Sequence, residues 1–109
     1  MPAPDPTPNP ILDLADLGQL FEEHRPRLEG IARRRLDPAL GVRLTAEDLL
    51  AEAFLDAARK WPDYRTARPV SPFVWLYGIV RDRIIEEYRK ASRARRDVRK
   101  LRTALDARI

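Results

Sequence analysis

Two groups of side chains in this 109-residue chain are spaced so that each can act as a unit. The first is Asp48, Glu52, Leu55, Asp56 and Arg59, which share one side of a helix when stepped by three and four residues. A leucine among carboxylates, on a face expected to be solvated, is a docking spot for a basic protein surface, though a single exposed leucine is commonplace. The second is Tyr64, Arg65, Arg68 and Ser71, inside a segment from Lys60 to Pro72 punctuated by Pro62, Pro69 and Pro72. The prolines and polar residues predict a loop too polar to be buried. An aromatic ring beside guanidinium groups can stack a displaced base and hold the adjoining phosphates. The plainer reading is a connector whose tyrosine tucks back onto the domain. Bond-making chemistry has little to stand on. No cysteine is present, His24 is the only histidine, and neither a nucleophile–base pair nor a glycine-rich phosphate loop occurs. His24 reads as an exposed or half-buried helix residue, and no metal or cofactor is expected.

The elements that must carry these groups are helical. The stretch Ser71 to Lys90 starts with a capping serine and a proline suited to the first helical turn. Phe73, Leu76, Tyr77, Val80, Ile84 and Tyr88 then form an apolar stripe. Arg81, Asp82, Arg83, Glu86, Arg89 and Lys90 lie mostly off it. Thr45 followed by Asp48 is a capping-box start, and Leu50, Ala53, Phe54, Ala57 and Trp61 should face the core behind it. Asp13 to Leu36 keeps helical spacing through Leu14, Leu17, Leu20, Phe21, Leu28, Ile31, Ala32 and Leu36, with Asp13 or Asp16 as the cap. Pro26 should kink or split that helix, and Arg33, Arg34 and Arg35 suit its negative pole. Asp37, Pro38 and Gly41 mark a connection. Arg93 to Ile109 carries Val98, Leu101 and Leu105 at helical steps, a narrow amphipathic helix with only a thin seam to bury.

The predicted architecture is all-α, a compact bundle of three to four helices over residues 13–96. A disordered proline-rich leader over 1–12 precedes it, and a linker or C-terminal helix over 97–109 follows. No apolar run reaches membrane-spanning length and no secretory signal precedes the fold, so the expected address is cytoplasmic. Net charge is +4, unevenly spread: residues 81–109 hold eleven Lys/Arg against five Asp/Glu, while the rest of the chain is net negative. That asymmetry suits a surface that meets phosphates.

Three collinear stretches carry a resemblance to a known family. They are Phe21 to Leu28 with Ala32 to Leu36, Ala46 to Leu55 (AEDLLAEAFL), and Pro72 to Asp82 (PFVWLYGIVRD). The chain resembles region 2 of the bacterial sigma factors, specifically the extracytoplasmic-function group, over about residues 20 to 96. The resemblance implies a transcription initiation domain rather than an enzyme. Its acidic helix, matched by Asp48, Glu52 and Leu55, would dock on the clamp helices of the largest β-type subunit of RNA polymerase, with Asp56 and Arg59 beside them. The loop matched by Tyr64 to Ser71 would capture a base flipped from the non-template strand of the promoter −10 element. Arg81 and Asp82 would add contacts, and Arg83, Arg89, Lys90 and Arg93 would hold the backbone by charge. An anti-sigma factor is a further partner the family implies.

The match is not complete. Ala51 stands where the family usually has glutamine, Thr45 replaces a frequent aspartate, and Asp82 stands where asparagine is common, which removes a donor. The −35-reading helix-turn-helix domain that the family adds is not among these residues, and Arg99 to Ile109 reads as the start of a linker to it. The competing expectation is a free-standing helical adaptor, binding protein through the acidic face and nucleic acid only nonspecifically.

Overall fold

The computed structural model describes residues 10–107, which form three α-helices with no strand among them. Helix α1 spans Pro10–Arg35, α2 spans Ala46–Ala67 and α3 spans Pro72–Asp106. A short 3-10 turn, Pro38–Leu40, lies in the connection between the first two. Most of the expected proline-rich leader falls outside the described residues. Pro10 to Leu12 already belong to α1, so Asp13 and Asp16 lie inside the helix instead of capping it.

The starts of α2 and α3 follow from their local chemistry. The Thr45 hydroxyl accepts from the Asp48 amide at 3.1 Å, and the Ser71 hydroxyl accepts from the Val74 amide at 3.4 Å, just ahead of Pro72. Both satisfy amides that the first helical turn leaves without partners. The α1–α2 connection reverses at Gly41, whose φ of 88° is open to glycine at little cost. A Cβ there would also meet the Arg95 guanidinium at 2.8 Å.

The core is one cluster drawn from all three helices. Leu17, Phe21, Leu28 and Ala32 of α1 meet Leu49, Leu50, Ala53, Ala57 and Trp61 of α2 and Leu76, Ile79, Val80 and Ile84 of α3. Helix α2 packs against both partners, so its buried face is wide enough to take Leu49 as well as Leu50. Leu14, expected in the stripe of α1, is instead half exposed at 48%. Tyr88 closes the far end: its hydroxyl donates to the Arg35 carbonyl and accepts from the Asp37 amide.

Three expectations about the elements need correction. Helix α1 runs through Pro26 as a single element and is not split. Lys60 to Ala67 is not a loop, because α2 continues through Pro62 to Ala67. Pro62 is exposed, while Trp61 and Tyr64 on the inner side are buried, so the apolar area gained outweighs the backbone hydrogen bond that proline forgoes. The connection shrinks to Arg68–Ser71. Finally, Arg93 onward is not a separate helix but the far half of α3, a single rod about 52 Å long.

Candidate functional site

The outward flank of α2 begins one turn after its cap. Asp48, Glu52 and Leu55 are all exposed, Leu55 at 55%, and neither carboxylate accepts a hydrogen bond among the described residues. An apolar side chain bracketed by free carboxylates can take a basic partner without first breaking an internal contact.

Asp56 departs from this flank. It is turned toward α3, its side chain only 15% exposed, and takes a two-pronged contact from Arg83: Nε at 2.9 Å and Nη2 at 2.7 Å. Arg59, largely exposed, also reaches Asp56. The Arg83 guanidinium is held above its ordinary value. Its hydrogen bond to Asp56 is the main cause, burial works against it, and the attraction of Asp56, Glu52 and Glu87 adds to it. Asp56 and Arg83, expected on two different outer surfaces, therefore bind each other and tie α2 to α3. Their separation of 27 residues is why no helical spacing pointed to the pair.

The α2–α3 junction is built differently from the expected open loop. Tyr64 is buried, its ring stacked on Trp75 at 4.1 Å between centroids and 6° between planes, and its hydroxyl donates to the Val70 carbonyl at 2.7 Å. Trp61 completes the aromatic group at 5.8 Å from Trp75. Tyr64 is thus no free stacking platform; it is the floor of the turn. Ser71 uses its hydroxyl as a helix cap. Arg68 is exposed and ends α2 with a φ of 40°, a left-handed conformation that costs a non-glycine residue about 1 kcal/mol or more.

A cleft of about 230 Å³ opens beside this turn. Trp61, Tyr64, Arg65, Arg68 and Pro72 line one side, and Asp16, Gln19, Leu20 and Glu23 of α1 line the other. Sequence reasoning missed the α1 contribution. Asp16 read as a cap and Gln19 carried no signal, because only the packing of α1 on α2 brings them to the junction. The cleft combines carboxylate acceptors, an amide that donates and accepts, and guanidinium donors, a set that matches the edge of a nucleobase. Further along α3, Arg81 and Asp82 are exposed and touch each other at 3.3 Å. Arg89 is exposed, while Lys90 and Arg93 make loose surface pairs with Glu87 and Glu86 at 3.4 and 3.3 Å. Such pairs contribute little and exchange readily for a phosphate.

The order of these features, a capped acidic helix, an aromatic-floored turn and a basic helix, coincides with a family. The model of sigma-70 region 2 matches residues 20–94. The chain belongs to the sigma-70 region 2 family. No curated protein and no solved structure gives a match to it. As a sigma-70 region 2 chain it is of the transcription initiation factor class, whose partners are RNA polymerase core and promoter DNA, and not of an enzyme class. The match takes in α2 whole, the near half of α3 and the lining of the cleft apart from Asp16 and Gln19. No described helix of this region 2 chain is long and apolar enough to cross a membrane.

Proposed function

We propose that this chain is a region 2 domain of the extracytoplasmic-function kind, which grips polymerase with α2 and holds opened promoter DNA at the α2–α3 junction. Asp48, Glu52 and Leu55 dock on the clamp helices of the largest β-type subunit, with Arg59 at their edge. An unpaired non-template base of the −10 element enters the cleft beside Trp61. Arg65 and Arg68 meet its phosphates, and Asp16, Gln19 and Glu23 meet its polar edge. Arg81 and Asp82 contact the strand further along, and Arg89, Lys90 and Arg93 hold the backbone through charge. Ser71 keeps the turn in register. Tyr64 supports the cleft from beneath, and Asp56 with Arg83 holds the two helices in fixed relation.

No bond is made or broken. Strand opening is favoured because the domain binds the open form more tightly than the duplex, and the shift equals that difference in affinity. The observation that carries the reading is the division along α2. Its unengaged carboxylates and exposed Leu55 lie toward one end, and the cleft with its arginines lies about 20 Å further along the axis, so both partners can bind at once.

Polymerase retention is the decisive measurement. Glu52→Arg and Leu55→Ala should each reduce capture of core polymerase. Undiminished capture by both would refute the docking assignment. With the polymerase complex in hand, single-stranded −10 non-template DNA should bind more tightly than a scrambled oligonucleotide, and Arg68→Ala should narrow that gap. Equal affinity for the two oligonucleotides would leave only a nonspecific adaptor.

A further inference from the structure

The near half of α3 buries its stripe against α1 and α2; the far half does not. Beyond Ala91 every described residue is exposed, including Val98 at 56%, Leu101 at 61% and Leu105 at 55%. Ala91, Ala94, Val98, Leu101 and Leu105 alternate steps of three and four, the a and d spacing of a coiled-coil seam. The root of this seam forms a groove of about 440 Å³ between α3 and the α1–α2 connection. Its floor is Ala91, Ala94 and Val98, and Arg43, Arg95, Arg99 and Arg102 stand around it with no acidic residue among the lining. Arg95 donates to the Leu40 carbonyl and so pins the root of the seam to the connection.

We infer that this overhang is the docking strip for an acidic amphipathic helix of a protein partner, one that lays leucine-like side chains on the seam and carboxylates against the arginines. Two alanines at the root let another helix approach closely, and the apolar side chains beyond them supply the area. Charge complementarity fixes the sign of the partner. Duplex DNA fits less well, since its phosphates would meet the arginines but leave the apolar floor wet. A second, antiparallel copy would set Arg95, Arg99 and Arg102 against the same arginines. The strip is separate from both the α2 flank and the junction cleft, so it stands or falls independently of the polymerase and promoter contacts.

The test uses the full chain and two labelled synthetic peptides, each about three heptads long, with leucine at a and d and either glutamate or lysine at e and g. Fluorescence anisotropy should give clear binding of the glutamate peptide and little of the lysine peptide. The pair Val98→Asp and Leu101→Asp should weaken binding about tenfold or more, with helix content by circular dichroism unchanged because both residues are exposed. The pair Arg99→Glu and Arg102→Glu should reverse the preference toward the lysine peptide. No binding of the glutamate peptide, equal binding of both peptides, indifference to Val98→Asp with Leu101→Asp, or displacement of the peptide by a duplex oligonucleotide would each overturn the inference. So would a concentration-dependent dimer in sedimentation, which would assign the strip to a second copy.

Discussion

Glu52 and Asp56 are carboxylates one turn apart on α2, and they have opposite fates. Glu52 faces outward with no hydrogen bond among the described residues, while Asp56 turns to α3 and is clamped by Arg83. A rotation of about 40° around the helix separates four residues, enough to carry a side chain from an open flank to the edge of an interface. Type and spacing therefore do not distinguish a carboxylate left open on a flank from one that joins two helices. What lies across from it does.

Substitutions can sharpen or break that contrast. Asp56→Ala has the largest expected effect, because it leaves a mostly buried guanidinium without its main acceptor. We expect a loss of about 1–3 kcal/mol, read as a fall in thermal midpoint, with polymerase capture per folded molecule unchanged. A stable Asp56→Ala protein that fails to bind polymerase would move Asp56 back to the outer flank. Tyr64→Phe comes next. Losing the hydroxyl contact to Val70 should cost about 1 kcal/mol by denaturant titration while the Trp75 stack persists. Arg68→Gly should gain up to about 1 kcal/mol by relieving the left-handed backbone, yet reduce discrimination for the −10 strand. A gain in stability with no change in discrimination would make Arg68 a turn residue only. Glu52→Gln should be the mildest for folding, within about 0.5 kcal/mol of the parent, and should show itself only in polymerase capture.

The helices were legible wherever local chemistry sets them. Thr45 and the Ser71–Pro72 pair mark helix starts through side chains only a few residues from the amides they satisfy, and the stripe of Leu76, Val80 and Ile84 is a matter of period alone. Lys60 to Ala67 reads as a loop from its proline and polar residues alone, and is helical because Trp61 and Tyr64 find a partner in Trp75, which is distant in sequence. The exposure of Asp48, Glu52 and Leu55 on α2 was readable from periodicity, but the burial of Asp56 was not, since its partner comes from another helix. The α1 side of the cleft was illegible for the same reason: Gln19 has meaning there only after two helices have packed. Val98, Leu101 and Leu105 teach the converse, for a stripe as regular as that of Leu76 and Val80 stays in water where no helix lies opposite.

The unbroken course of α3 has a practical consequence. From Pro72 to Asp106 there is no joint, so the end beside the cleft and the distal tip turn as one lever. A bulky tag joined stiffly behind Asp106 would tilt Arg81 and Asp82 along with it, whereas a glycine–serine tether would absorb the torque. Fusion reporters for this domain should be attached through such a tether, or ahead of α1.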